Sequence, residues 1–203
     1  MLQAIIQTDV NLFILLNAIR HPVMDWFFWL VSQLGNYWVA VPAVAGGVLI
    51  MSSRKNILYK ALFVLFVLTV NGIITAQIKL HVNRPRPVQY FCTTSGIPKQ
   101  LGMPLKIFPP EERLDSISGS LAGEGLKYQS FPSGHTSTAF ACATTLILLL
   151  GMKYWAAFAV AFLVAYSRIY LGLHFPLDLI GGIVVGVLTS LALYGVCRKA
   201  MEE

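Results

Sequence analysis

Long apolar runs are the feature of this sequence that most restricts its fold. The clearest run extends from Ile57 to Ile78, and others cover residues 37–51, 132–151, 154–170 and 175–196. A helix needs roughly 20 mostly apolar residues to cross a bilayer. Hydrophobic residues make up 56% of the 203 residues and charged residues only 12%, whereas soluble domains carry about 25% charged residues. The sequence therefore predicts an integral membrane protein.

The residues before the first clear run are harder to assign. In residues 1–20, apolar positions alternate with polar ones, as in a helix that lies at the membrane interface. Residues 22–35 hold an aromatic run that is too short to span alone, so it is either re-entrant or joined to residues 37–51 through a kink. We therefore expect an all-α fold, a polytopic membrane helical bundle of about five to six spans with an N-terminal interfacial helix.

The chain is predicted to form a single membrane-embedded domain over residues 1–203. Residues 1–35 supply its interfacial N-terminal helices, and residues 80–131 form an external loop rich in proline, glycine, serine and charges. Apolar residues in this loop, such as Phe91 and Phe108, either lie on the bilayer surface or are incidental to a solvated linker. The three cysteines have no metal-ligand spacing and imply no disulfide framework.

Basic residues predict how the bundle is oriented. The net charge of +6 is more typical of an orientation signal than of nucleic-acid binding, so no nucleic-acid partner is expected. When the spans are threaded, one side collects most of the flanking cations, namely Arg54, Lys55, Lys60, Lys153, Arg198 and Lys199. The positive-inside rule makes that side cytoplasmic. The opposite, external face then receives the polar ends of three apolar runs.

Those polar ends carry the candidate functional residues. They are Lys79 with Arg86-Pro87, the segment Pro132-Ser133-Gly134-His135, and Ser167-Arg168 with His174 and Asp178. Ionisable groups in a membrane are costly, so each one is by default a functional-site hypothesis. Taken singly, a histidine or arginine here can be structural, Asp178 can simply pair with Arg168, and Lys79 can be an interface anchor. Their joint placement at one membrane level favours a site.

The residue types in this set suit phosphoryl transfer. A transferring phosphoryl group spreads negative charge over its oxygens, and catalysis consists mainly of positioning and electrostatic stabilisation. Arginine forks match phosphate geometry, and the amides at a helix start offer further donors. The predicted phosphate-binding residues are Lys79, Arg86, Ser133, Gly134 and Arg168. Arg84 and His81 are predicted to be loop residues with a modest chance of substrate contact.

Two histidines permit a covalent route. One attacks phosphorus, and the other protonates the leaving oxygen and later activates water. Asp178 lies one helical turn after His174 and can accept a hydrogen bond from one ring nitrogen, leaving the other free to attack. No second carboxylate lies near enough in the sequence to suggest a metal pair, so we expect neither a metal nor another cofactor.

The three segments resemble those of the type 2 phosphatidic acid phosphatase family, which shares its site with vanadium haloperoxidases. The family motifs K-x6-R-P, P-S-G-H and S-R-x5-H-x3-D match here in order and internal spacing. The resemblance implies His174 as a nucleophile forming a phosphohistidine, His135 as general acid and then base, and Asp178 as the residue that orients His174. It also implies that the five residues listed above bind phosphate, with the site on the outer face of a bacterial inner membrane.

The predicted function is metal-independent hydrolysis of a lipid phosphate or pyrophosphate. Candidate substrates are undecaprenyl pyrophosphate, phosphatidylglycerol phosphate, phosphatidic acid and the 1-phosphate of lipid A. A lipid phosphotransferase with the same intermediate is one alternative, and an anion-binding transporter is the non-enzymatic one. Haloperoxidase chemistry is disfavoured by the membrane spans. The expected partners are a lipid phosphate and the bilayer, and the sequence leaves the oligomeric state open.

Overall fold

The fold is helical throughout the part of the chain that the structure describes. This computed structural model describes residues 1–19, 21–51, 56–93 and 129–202. The helices are α1 (Leu2–Asn17), α2 (Pro22–Gln33), α3 (Tyr37–Met51), α4 (Ile57–Val82), α5 (Pro87–Thr93), α6 (Gly134–Leu150), α7 (Ala156–Tyr170) and α8 (Pro176–Glu202). The predicted all-α class is confirmed. The extended pairing in these ranges is a bridge between Pro85 and Gln129.

Two of these helices are long and apolar enough to cross a membrane. They are α4 and the part of α8 that runs from Pro176 to Arg198. The pair formed by α2 and α3 passes the same test together, with a bend of 66° between the two helices. This bend fits both the kinked and the re-entrant arrangement expected for residues 22–35. The described residues thus contain two candidate spans, or three with the bent pair, and the larger predicted number stays a prediction.

Helix α6 lies at the centre of the bundle and packs against α3, α4, α7 and α8. Its contact with α8 is close because α8 presents glycines there. A Cβ atom at Gly186 would lie 2.3 Å from the carbonyl oxygen of Ser137, and one at Gly182 would lie 2.7 Å from that of Ser133. Small residues allow such approach between membrane helices. The close-packing role predicted for the glycines of the last span is confirmed.

The region after α4 corrects two predictions. The span expected to end at Lys79 continues to Val82 and stops at Asn83, whose φ of 47° is left-handed. The predicted external loop then contains α5, which begins at a proline, a favoured residue in the first turn of a helix. Residues 94–128 of that loop, including Phe108, lie outside the described residues.

Phe91 on α5 is buried, so both places considered for it from the sequence, the bilayer surface and a solvated linker, are wrong. Its ring centroid lies 6.0 Å from that of Phe13 and 6.5 Å from that of Phe175. Packing in this aromatic cluster removes the ring from the surface, and aromatic rings gain stability from such burial and from their mutual contacts. The cluster joins α1, α5 and Phe175, which lies between His174 and the first residue of α8.

Helix α1 is attached to the bundle along one face. Val10 and Phe13 are buried in the core, and the Asn17 side-chain amide donates to the carbonyl oxygens of Ile169 and Tyr170 at 3.0 Å each. Apolar side chains on the other face, including Leu15, are exposed. The interfacial position predicted for this helix remains a prediction.

Candidate active site

The predicted site residues meet where four helices end. The last turn of α4 supplies Lys79, the first turn of α6 supplies His135, and the connection from α7 to α8 supplies His174. Lys79 is buried, and its Nζ donates to the carbonyl oxygens of Gln129 (2.7 Å) and Ser130 (3.3 Å). These bonds fix the short segment before α6 against the end of α4.

The start of α6 is shaped by Ser133 and Gly134. The Ser133 hydroxyl caps the helix by accepting from the amide (3.4 Å) and the hydroxyl (3.0 Å) of Thr136. The Ser133 amide donates to the Asp178 carbonyl oxygen at 2.9 Å, which ties α6 to α8. Among the described residues, a Cβ atom at Gly134 would meet Thr75 alone, at 3.9 Å, so these residues leave the backbone open there. An anion can approach the positive end of the helix dipole.

Ser130 and Asp178 orient the His174 ring. Its Nδ1 lies 3.3 Å from the Ser130 hydroxyl and 3.4 Å from Asp178 Oδ2. The Ser130 hydroxyl donates its hydrogen to Asp178 Oδ2, so its oxygen is left to accept a hydrogen bond from Nδ1. This arrangement favours the tautomer with the proton on Nδ1 and a lone pair on Nε2. The sequence motifs predicted Asp178 in this role but gave no indication of Ser130.

Positive charge surrounds both imidazoles. The charges of Lys79, Arg86 and Arg168 all act on the rings of His135 and His174. Burial of the ring, and to a lesser extent these cations, lower the pKa of His174 well below its usual value. His174, only 2% exposed, is therefore neutral at physiological pH and has the free lone pair that a nucleophile needs.

The bent α2–α3 pair also contacts the site. Ser32 of α2 accepts a hydrogen bond from Arg168 Nη1, so this broken helix helps to hold one of the predicted phosphate-binding residues. Gly35, at the bend, lies against His135: a Cβ atom at Gly35 would be 2.9 Å from both the Cβ and the carbonyl oxygen of His135. The region that was hardest to assign from the sequence thus lies beside the catalytic candidates.

Arg84 lies in the loop after α4, as predicted, whereas His81 does not, because it belongs to the last turn of α4. Arg84 is held in that loop by two carboxylates: its Nη1 donates to Asp178 Oδ1 at 2.7 Å and its Nη2 pairs with Asp9 of α1. The ion pair that the structure gives Asp178 is thus with Arg84, whereas the sequence suggested Arg168 as a structural partner. The repeated Arg-Pro pair at residues 84–87 was the signal available for Arg84. Asp9 had a weaker one, as an acidic residue on an otherwise uncharged helix.

Two cavities flank the end of α4. One, of about 460 Å³, is lined by Lys79, Gly134 and His135 together with Asn71 and Thr75 deeper along α4. The other, of about 890 Å³, is almost wholly apolar and lies between α1, α4 and α8. Arg84 is on its rim. The described residues contain no group of three or more His, Cys, Asp or Glu side chains suited to a metal ion.

Comparison with known families identifies this set of residues. The model of the PAP2 superfamily matches residues 60–202, which include all three polar segments. The chain belongs to the PAP2 superfamily. The resemblance stated from the three motifs is therefore confirmed.

Relatives with assigned names extend this comparison. The chain is 29% identical to the lipid A 4'-phosphatase of Porphyromonas gingivalis, over all of this chain and 78% of that protein. It is 38% identical to the corresponding protein of Bacteroides thetaiotaomicron, but over only 34% of this chain and 32% of the relative. A similar short match, 38% identical over 31% of this chain and 32% of the relative, is to YbjG of Escherichia coli, named a putative undecaprenyl-diphosphatase.

Solved PAP2 structures share the fold. LpxE of Aquifex aeolicus superposes with a TM-score of 0.67 at 28% identity, covering 92% of this chain and 94% of that one. A phosphatidylglycerolphosphate phosphatase of Bacillus subtilis gives the same TM-score at 21% identity, covering 97% and 87%, and supports the fold alone. The family match and the relatives of the preceding paragraph that are named as phosphatases confirm the predicted enzyme class, a membrane lipid phosphatase.

Proposed function

We propose that this chain hydrolyses a lipid phosphate or pyrophosphate without a metal, through a phosphohistidine on His174. The observation that carries the proposal is the surroundings of His174. Its Nδ1 faces Ser130 and Asp178, while the charges of Lys79, Arg86 and Arg168 act on the ring. A neutral imidazole whose outer nitrogen meets clustered cations is suited to attack a phosphorus atom whose charge those cations offset.

In the first step, His174 Nε2 attacks phosphorus, and the bond from phosphorus to the leaving oxygen of the lipid breaks. His135 enters this step protonated, donates its proton to that oxygen as general acid and becomes neutral. Asp178 and Ser130 hold the imidazole as it becomes positive. In the second step, His135 takes a proton from water, the water oxygen bonds to phosphorus, and the bond between phosphorus and His174 breaks. Inorganic phosphate leaves, and both histidines return to their starting forms.

The location of the cavities supports a lipid substrate. The cavity beside His135 and Lys79 takes the phosphate head, and the apolar surfaces around the end of α4 suit acyl or prenyl chains. Lys60, Lys153 and Arg198 lie at the opposite ends of the helices from the site. Under the positive-inside rule, this distribution of cations supports a site at the outer face of a bacterial inner membrane. We also propose that the shorter apolar helices complete a bundle of about five to six spans, and that α1 lies at the membrane interface.

Phosphorylated lipid A is the first substrate class to test. The relative matched along this whole chain is named a lipid A 4'-phosphatase, and a further, shorter match is named a lipid A 1-phosphatase. Polyprenyl diphosphate is the second class, because shorter matches carry undecaprenyl-diphosphatase names. Phosphatidic acid and phosphatidylglycerol phosphate complete the panel.

The test is phosphate release by the purified protein in detergent with EDTA present, across this lipid panel. The matched histidine variants are His174→Ala and His81→Ala. His81 is exposed on α4, and its Nδ1 lies 2.8 Å from the carbonyl oxygen of Gln77. We expect release to persist in EDTA and in His81→Ala but to vanish in His174→Ala. Acid-labile, base-stable label on the protein after rapid quenching, absent in His174→Ala, would identify the phosphohistidine.

Three outcomes would contradict parts of this proposal. Loss of activity in EDTA that added divalent ions restore would contradict metal independence. Transfer of the label to a lipid acceptor, with no phosphate released, would favour the phosphotransferase. Phosphate release from no lipid, combined with anion transport that His174→Ala leaves intact, would favour the transporter.

A further inference from the structure

A chain of charges joins the N-terminal helix to the nucleophile. We infer, on the basis of the function proposed above, that Asp9 is a positioning residue for the reaction. It acts through Arg84 to keep a net negative charge on the groups beside His174. Asp9 touches neither substrate nor His174. It lies on α1, outside the region matched by the family model and outside all three sequence motifs.

The contacts that build this chain are short and specific. Arg84 uses one guanidinium nitrogen for Asp178 Oδ1, at 2.7 Å, and the other for Asp9 Oδ2. The second Asp9 oxygen accepts from the Leu177 amide at 2.8 Å, next to Asp178 itself. Arg84 is further held over the Phe175 ring, 4.5 Å from its centroid. The guanidinium therefore has a fixed place between two carboxylates.

The charge count explains why Asp9 matters to the chemistry. Without Asp9, Asp178 and Arg84 would form a neutral pair, and this pair would attract a positively charged His174 ring only weakly. Asp9 offsets the arginine charge, so the three groups together carry one negative charge. This negative charge lies close to the His174 ring, whose protonation is disfavoured by Lys79, Arg86 and Arg168. It stabilises His174 when it becomes positive on attacking phosphorus.

Attachment of α1 does not by itself require a charge at this position. Val10 and Phe13 already bury apolar surface, and Asn17 already bonds two carbonyl oxygens of α7. A buried carboxylate is costly unless it is paired, and Asp9 is only 4% exposed. An uncharged residue would attach the helix with less desolvation cost. The charge at Asp9 is therefore better explained by Arg84 and the site than by helix packing.

The prediction concerns the pH dependence of catalysis. The ionisable groups that act on His174 are Arg86, Arg168, Lys79 and His135, with Asp178 in contact and Arg84 and Asp9 behind it. Removing the Asp9 charge leaves more positive charge near His174 and disfavours its protonation. Removing the Arg84 charge does the opposite. Removing a unit charge at this distance from His174 should move the acid limb by roughly half to one pH unit.

The experiment is a charge cycle on the full-length protein in detergent. We compare Asp9→Asn, Arg84→Gln and the double variant by kcat and by the pH profile of kcat/KM. Asp9→Asn is expected to lower kcat about 10-fold, with little change in KM, and to move the acid limb to lower pH. Arg84→Gln is expected to move the limb to higher pH. The double variant, with one negative charge as in the wild type, is expected to return the limb towards its wild-type position.

The control is Asn17→Ala, which weakens the attachment of α1 without changing a charge. We expect it to lower the melting temperature and to leave the pH profile in place. Unmoved acid limbs in the single variants, or equal shifts in one direction, would overturn the inference. If Asp9→Asn fails to fold, the shift in Arg84→Gln and its reversal in the double variant still decide. If the wild type released no phosphate from any lipid, the proposed function would be overturned instead.

Discussion

Replacing Ser130 by alanine tests the orientation of the nucleophile most directly. The Ser130 hydroxyl is buried, donates to Asp178 Oδ2 and lies 3.3 Å from His174 Nδ1. Ser130→Ala removes a hydrogen bond to a charged group, which is worth about 1.5–3 kcal/mol. The Phe175 amide, at 2.8 Å from Asp178 Oδ2, and the Arg84 guanidinium remain, so the carboxylate keeps its position.

The expected cost falls on the chemical step. Because each 1.36 kcal/mol in the barrier is a factor of ten, we expect kcat to fall about 10- to 100-fold. KM should change little, because Ser130 contacts His174 Nδ1 and Asp178 Oδ2 and not the Nε2 atom that attacks phosphorus. The assay is steady-state phosphate release from the best lipid of the panel, with substrate concentration varied in mixed micelles.

Ser190→Ala is the matched control for this prediction. Ser190 is an equally buried serine, on α8, whose hydroxyl bonds the carbonyl oxygens of Ala141 (3.2 Å) and Gly186 (2.9 Å). Its loss should cost stability without lowering kcat by more than about twofold. If Ser130→Ala kept a kcat within twofold of the wild type, the orienting role assigned to Ser130 would be refuted.

Two further predictions concern pH and helix packing. Because burial and nearby cations lower the pKa of His174, its nucleophilic form should persist below the usual histidine value of about 6.5, and kcat/KM should keep its plateau below that pH. If kcat/KM began to fall on the acid side above that value, and the phosphohistidine signal fell with it, this prediction would be contradicted. Gly186→Ala should destabilise the α6–α8 contact by about 1–3 kcal/mol, because its Cβ would lie 2.3 Å from the Ser137 carbonyl oxygen. Gly195→Ala is the control, because among the described residues no atom outside its own helix backbone lies within 4 Å of its Cβ. Equal melting temperatures for the two variants would count against the packing argument.

The pH behaviour of stability has a definite sign. His174 is neutral in the folded protein, whereas the unfolded chain takes up a proton as the pH falls through the usual histidine value. The unfolded state therefore binds more protons in acid, and the contribution of His174 to the free energy of unfolding decreases below about pH 6.5. Above that pH, both states are neutral and the contribution is constant.

The sequence by itself determined the class of the fold and the family. Apolar runs imply membrane helices, because a bilayer leaves the backbone few other ways to satisfy its hydrogen bonds. Polar residues at the ends of these runs then meet on one side of the membrane. The spacing within each motif is local, so Lys79 and Arg86, or His174 and Asp178, could be paired without a structure. The glycines of α8 predicted close packing for the same local reason.

Only the tertiary structure decided which residues complete the site. Ser130 reaches His174 across 44 positions and Asp9 reaches Leu177 across 168, and neither separation leaves a periodic pattern in the sequence. The same holds for Ser32 against Arg168, and for Phe91, whose burial depends on rings from α1 and α8. Spacing along a helix fixes which side chains share a face, but contacts between helices depend on how whole faces pack. Arg84 and Ser130, the distant partners of Asp178, could therefore be found only in the assembled bundle.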